Sequence, residues 1–302
     1  MPNPEIVVVG SHAPAFYIRT SRIPLAGETV IGWDFEEPRD GGKGSNQAIA
    51  AARLGANVAF IGMVGKDRLG NTLYEWFKEE KVDSRWLLQH DTLPTGTGFD
   101  IKNKDNDCAL VTCMGANAGL TKEIIDLALA DLSKAKILLT QFEIPPEIAL
   151  YAAKKASHHG LISILNPAPA SEKKLSYEGV SILVPNEIEA KIIAGIPLDQ
   201  RIANKDLLAL VKQKSGVPTI IITLGDEGIY ALNGSDIWQE KSEKAKVVDA
   251  SGAGDQFCAA LAVGLYQGMD IKTACSFGMR AAAISVTRKG TISAFVCREE
   301  LS

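Results

Sequence analysis

The stretch Lys246-Val247-Val248-Asp249-Ala250-Ser251-Gly252-Ala253-Gly254-Asp255-Gln256-Phe257 constrains this chain more than any other. Val247 and Val248 read as the end of a buried strand. Gly252 and Gly254 allow a turn too tight for side chains, and an apolar, alanine-rich run (Phe257, Ala259, Ala260, Leu261, Val263) reads as the helix that follows. A strand that turns through glycine into a helix start gathers free backbone N–H groups at the positive end of the helix dipole. If that place only bound anions, Asp255 would repel a phosphate. It makes sense as the acceptor of a proton from a hydroxyl that attacks the phosphate, while the N–H groups hold the developing charge. The alternative is a loop whose glycines merely close a turn and whose Asp255 caps the helix, because short glycine-rich matches are weak alone.

Around this stretch the chain alternates. Ile6-Val7-Val8-Val9-Gly10 is a short apolar run suited to a strand buried on both faces. Gly41-Gly42-Lys43-Gly44-Ser45-Asn46-Gln47 is a second glycine-dense turn, opening an alanine-dominated helix that ends at Gly55. It does not meet the Gly-x-x-x-x-Gly-Lys-Ser/Thr pattern of a phosphate loop, and a purely structural helix start is the alternative there. Strands over 57–62, 137–139, 161–165, 181–184 and 219–223 alternate with helices over 67–81, 121–131, 146–158, 186–194 and 204–213. That rhythm predicts an α/β fold with a doubly wound, mostly parallel sheet flanked by helices, and ligands at the carboxyl ends of its strands. Two polar excursions, about 13–40 and 95–115, fit a small β-lid inserted into one domain spanning 1–302.

Composition removes several classes. The charges, 32 basic and 36 acidic for a net −4, are scattered without runs, so nothing favours nucleic acid or an anionic membrane. The odd number of cysteines, five, includes none at metal-ligand spacing, which reads as reduced thiols. No signal-like or membrane-spanning apolar segment is present. The expectation is a soluble, cytoplasmic protein.

The two glycine turns together resemble the paired signatures of the ribokinase-like (phosphofructokinase-B) carbohydrate kinases, closest to the ribokinases. The likeness runs through Pro24–Val30, Ala52–Val58, Gly115-Ala116-Asn117-Ala118, Gln141-Phe142-Glu143, Asn166–Ala170, Pro185-Asn186-Glu187-x-Glu189, Thr223-Leu224-Gly225 and Ala281–Gly290. It implies ATP-dependent phosphorylation of a hydroxymethyl group on a small sugar, with Asp255 as base and Gly252, Ala253 and Gly254 as anion hole. It further implies that Gly42, Lys43, Asn46, Gly98 and Glu143 contact the sugar, and that Thr223 and Gly225, with Asn186 and Gly254, contact the nucleotide. Glu189 would organise magnesium through water, its residue-level alternative with Asn186 being an N-cap and a solvated helix residue. Asp249 with carbonyls of Ser251, Ser285, Arg288 and Gly290 would hold an activating potassium ion. The lid of such kinases often doubles as a homodimer interface, for which an apolar outer face of Phe99 and Ile101 is suited.

This chain also departs from the family. Ribokinases carry Gly-Ser-x-Asn-x-Asp after the first strand, and here the run is Gly10-Ser11-His12-Ala13-Pro14-Ala15. Each lost charged partner is worth roughly 1.5–3 kcal/mol, which predicts poor ribose binding. On Gly98-Phe99-Asp100-Ile101-Lys102, strand alternation puts Asp100 on the face of Gly98, where it could replace part of what is missing. Arg39, with Asp40 beside it, could pair with an acidic substrate or be solvated. Ala250 and Ala294 replace a Thr and a Ser beside the cation site. The rival acceptors are a nucleoside (with Phe16 or Tyr17 stacked on a base), a ketohexose or a sugar acid. The rival from another class is a non-catalytic sugar sensor.

Overall fold

The computed structural model describes residues 3–37, 41–105 and 108–301. The first half holds β1 (Ile6–Val9), β2 (Ala15–Thr20), β3 (Gly32–Glu36), α1 (Lys43–Arg53), β4 (Val58–Gly65), α2 (Arg68–Glu79), β5 (Asp83–His90), β6 (Thr97–Lys102), β7 (Cys108–Cys113), α3 (Lys122–Asp131) and β8 (Ile137–Gln141). The second holds α4 (Pro146–His158), β9 (Ile162–Asn166), β10 (Ile182–Leu183), α5 (Glu187–Ala194), α6 (Asn204–Ser215), β11 (Thr219–Thr223), β12 (Ile229–Asn233), β13 (Asp236–Glu240), α7 (Ala253–Tyr266) and α8 (Ile271–Ser285).

Nine strands form one sheet in the order β13-β12-β11-β10-β9-β8-β1-β4-β5. All neighbours from β5 to β11 run parallel, and the β12–β13 hairpin closes the far edge antiparallel. The run Ile6–Val9 is unbroken by polar residues because both faces of β1 are covered. Ile6 and Val8 pack toward α1, α7 and α8, and Val7 and Val9 toward α3 and α4. Strand order reverses at β1, whose neighbours are β4 on one side and β8 on the other. A crevice therefore opens beyond the carboxyl ends of β1 and β8, where connections leave in opposite directions.

A second, four-stranded sheet, β3-β2-β6-β7, stands apart from the first. β2 and β6 pair in parallel with Ala15 opposite Gly98, Tyr17 opposite Asp100 and Arg19 opposite Lys102, so these six share one face. Phe16 and Phe99 share the other, their rings stacked at 5.4 Å, and Phe35 extends the stack at 6.1 Å from Phe16. Phe16 is thus engaged within the second sheet itself, whereas Tyr17 lies under the cationic ends of Arg19 and Lys102.

One expectation fails. Val247 and Val248 end no strand: they are 60% and 58% exposed. The β12–β13 hairpin already occupies the sheet edge, and the segment before α7 leans on the end of α8, where Val248 N–H donates to the Val286 carbonyl at 2.8 Å. No described helix is long and apolar enough to cross a membrane. Among the described cysteines none is bonded; Cys258 and Cys275 are buried and Cys113 is exposed.

Candidate active site

The crevice is built by pressing the start of α1 against the end of β1. A Cβ on Gly44 would lie 2.4 Å from Ser11 N and 2.6 Å from Gly10 C, so only glycine lets the two backbones touch. Ser45 N–H then donates to the Ser11 carbonyl at 2.9 Å. The Asn117 side chain clamps the peptide of His12, accepting from its N–H at 3.0 Å and donating to its carbonyl at 2.8 Å. The chain beyond β1 is therefore held by protein groups on both sides.

Glu143, two residues past β8, receives the Ser11 hydroxyl at 2.6 Å and the Lys43 backbone N–H at 2.8 Å, both on Oε2. Asp255 sits in the first turn of α7, 5% exposed. Its Oδ2 accepts from Asn46 Nδ2 and its Oδ1 from Gln47 Nε2, both at 2.9 Å. Burial by itself would lower the Lys43 ammonium, but the nearby charges of Asp255, Glu143 and Glu189 outweigh it and push its pKa up. Burial raises the Glu189 carboxyl, against the opposing pull of the Asn186 N–H and Lys43. One cation and three carboxylates, drawn from four separate elements, thus share one crevice.

Asn186 and Glu189 form a reciprocal capping box at the start of α5. Glu189 N–H donates to Asn186 Oδ1 at 2.8 Å, and Asn186 N–H donates to Glu189 Oε2 at 2.8 Å. The N-cap alternative for Asn186 is therefore real, yet Glu189 is only 8% exposed and no solvated helix residue. Asn186 also bridges to Thr223 at the end of β11, and Gly225 follows with φ 61°. Around Gly225 and Gly254 a Cβ would meet nothing within 4 Å, whereas a Cβ on Gly252 (φ 75°) would strike Thr291 at 2.7 Å.

The Asp249 carboxylate closes the loop before α7. Its Oδ1 accepts from Ser251 N–H at 3.0 Å and its Oδ2 from Gly290 N–H at 3.1 Å. Burial would raise this carboxyl; the hydrogen bonds from Ser251 and Gly290 and the charge of Lys102 reverse the sign and lower it. The Ser285 carbonyl accepts from Arg288 N–H at 3.1 Å, so Ser285, Arg288 and Gly290 belong to one turn after α8. Ala294 is buried at 1% beside it. Lys102, on β6, acts on this carboxylate through its charge, and its ammonium also lies 3.7 Å from Asp100. Arg39 and Asp40 fall outside the described residues. Ser11, Gln47 and Gln141 also belong to this crevice, and only their places beside Gly10, Asn46 and Glu143 in the sequence point to them.

The sequence model of the pfkB family carbohydrate kinases matches residues 3–296. The ribokinase of Haemophilus influenzae is 34% identical over 299 residues, which are 98% of this chain and 96% of that protein. This chain belongs to the pfkB family of carbohydrate kinases. Among solved structures, the ribokinase of Thermotoga maritima superposes with a TM-score of 0.86 at 33% identity, over 99% of this chain and 98% of that one. The ribokinase of Arabidopsis thaliana complexed with ribose and ATP does so with a TM-score of 0.86 at 28% identity, over 99% and 97%. As a kinase of this family, the protein transfers a phosphoryl group from ATP to a sugar, and the parallel sheet with its glycine turns is the family's fold.

Proposed function

We propose that the acceptor is a hydroxymethyl group of a small sugar or sugar derivative and that Asp255 is the base that takes its proton. The observation that carries this reading is the position of Asp255. It lies in the first turn of α7, next to the open space at Gly254 and in the same crevice as the Lys43 ammonium. The backbone N–H groups of Gly252, Ala253 and Gly254 form the anion hole, that of Ala253 being shared with the Ala250 carbonyl at 3.3 Å, and the helix dipole there favours the charge on the phosphoryl oxygens. Gly42, Lys43, Asn46 and Glu143 hold the sugar, and Asn186, Thr223 and Gly225 the nucleotide phosphates.

Magnesium, a hard cation, fits the oxygen donors of this crevice, with Glu189 reaching it through water. When bound it neutralises phosphate charge. The oxygen-only set of the Asp249 carboxylate and the Ser251, Ser285, Arg288 and Gly290 carbonyls suits potassium, whose role would be to stiffen the turn that precedes α7.

The sugar is not assumed to be ribose. Ala13 and Ala15 offer methyl groups where ribokinases place hydroxyl-binding polar groups, and Asp100 lies on the Ala15–Gly98 face of the lid beside Lys102. ATP turnover measured against pentoses, hexoses, polyols, sugar acids and nucleosides, with and without potassium, tests this. We expect another member of the panel to exceed ribose, and Asp255→Asn to lose at least about a thousandfold in kcat with every acceptor. Wild-type turnover by Asp255→Asn would overturn the assignment of the base, and ribose as the best acceptor would overturn the redirected pocket.

The outer face of the lid fits a second copy of this chain. Phe35, Phe99 and Val111 are 54–68% exposed there, a patch that a monomer would leave in water. A homodimer that becomes monomeric in Phe99→Glu by sedimentation is the expected result; a monomeric wild type rejects it.

A further inference from the structure

Asp255 is not held by its own loop. Each of its oxygens accepts one amide N–H from α1, and each keeps one lone pair for another donor. The amide on Oδ1 belongs to Gln47, and its orientation follows from charge. A carboxylate only accepts, so the NH2 end of Gln47 must face it and Gln47 Oε1 must point away. That oxygen accepts in turn from Gln141 Nε2, at the last position of β8. Gln141 is thereby oriented as well, with its Oε1 directed at Gly10. A Cβ on Gly10 would lie 2.3 Å from that oxygen, so a glycine there leaves the room the second amide needs. Gln47 and Gln141 are each 0% exposed, so no water competes along the line.

We infer that Gln47 and Gln141 are positioning residues for phosphoryl transfer. They form a two-amide relay that locks the carboxylate plane of Asp255 from the end of β8. The inference rests on the reading of Asp255 as the base. With N–H groups from Asn46 and Gln47 on opposite oxygens, the carboxylate cannot rotate about its Cβ–Cγ bond, and a free lone pair keeps a fixed direction toward the crevice. Phosphoryl transfer depends chiefly on positioning, so freeing that plane costs rate more than affinity. The relay starts at Gln141, two residues before Glu143. The sugar-facing carboxylate and the base are therefore both registered to β8.

The experiment uses the full chain, with ATP and the best acceptor found in the panel. Gln47→Met and Gln141→Met keep length and packing while removing the amides; Asp255→Asn is measured beside them. We expect Gln47→Met to lower kcat by about 10- to 100-fold, the loss of one hydrogen bond to a charged group, with KM for sugar and ATP changed less than about threefold. Gln141→Met loses less, and the double variant equals Gln47→Met because the second amide acts through the first. Gln47→Glu, of the same shape, regains activity as pH falls and its new carboxyl becomes a donor. An inactive Asp255→Asn with normal kcat in Gln47→Met overturns the relay alone, and so does a double variant whose losses multiply. An active Asp255→Asn overturns the base and the relay with it. Should Gln47→Met melt too low to assay, the pH response of Gln47→Glu decides.

Discussion

In the first turn of α1, a Cβ added to Gly44 would lie 2.4 Å from Ser11 N; at Gly254, in the first turn of α7, it would meet nothing within 4 Å. Written out, Gly-Gly-Lys-Gly and Gly-Ala-Gly-Asp suggest the same device. In the folded chain the first turn is filled by protein backbone and the second faces a space. Glycine at 44 lets β1 and α1 close on one another and so builds the wall that carries Lys43, Asn46 and Gln47. Glycine at 254 keeps the approach to the helix start clear, as a phosphoryl group would require. Gly252 stands between the two cases, because its φ of 75° and the approach of Thr291 demand glycine for structural reasons within the second turn.

Three substitutions sharpen or break this contrast. Gly254→Ala should have the largest effect and on activity alone. We expect about 100- to 1,000-fold lower kcat, as for loss of an anion-hole donor, with Tm unchanged or raised because Ala is up to about 1 kcal/mol better than Gly in a helix. Normal turnover would mean that the space beside Gly254 is not the transfer site. Gly44→Ala should do the opposite, losing at least about 3 kcal/mol of stability in urea titration, because backbone atoms on both sides cannot yield. A stable Gly44→Ala would show that β1 and α1 are able to part without cost.

The smallest effect concerns His12, beside the first turn. Its ring is buried, with Nδ1 3.1 Å from Ser45 Oγ. Burial lowers its pKa from 6.5 to about 4, against weaker pulls from the Leu69 and Gly41 carbonyls and Asp67. Between those two values the unfolded chain binds more protons than the folded one. Stability is therefore complete above about pH 6.5 and falls as pH drops toward 4, by about 2–3 kcal/mol at pH 4.5. The difference in urea midpoint between pH 7.5 and 4.5 should shrink accordingly in His12→Leu. An unchanged difference would place the pH sensitivity elsewhere.

Apolar runs and glycine punctuation were enough to specify much of the alternation of strands and helices and the parallel sheet, though not β5, β12 or β13, because burial on two faces and tight turns leave a direct trace in composition. Asp255, Lys43, Asn46, Glu143, Asn186 and Glu189 were legible as candidates through family motifs. The valines at 247–248 misled, since an apolar pair announces burial only if a strand position is vacant, and the β12–β13 hairpin had taken the edge. The sequence also gave no sign that Glu189 would be buried.

What the sequence by itself determined, then, is local: which segments pair, which turns need glycine, and which side chains carry charge or amide. Tertiary structure alone decided what those side chains meet. Gln47 and Asp255 are more than 200 positions apart, and no periodicity relates them. They touch because β1 is the strand at which the sheet reverses direction, which brings α1, β8 and α7 to one crevice. The same packing filled the space beside Gly44 and left the space beside Gly254 open.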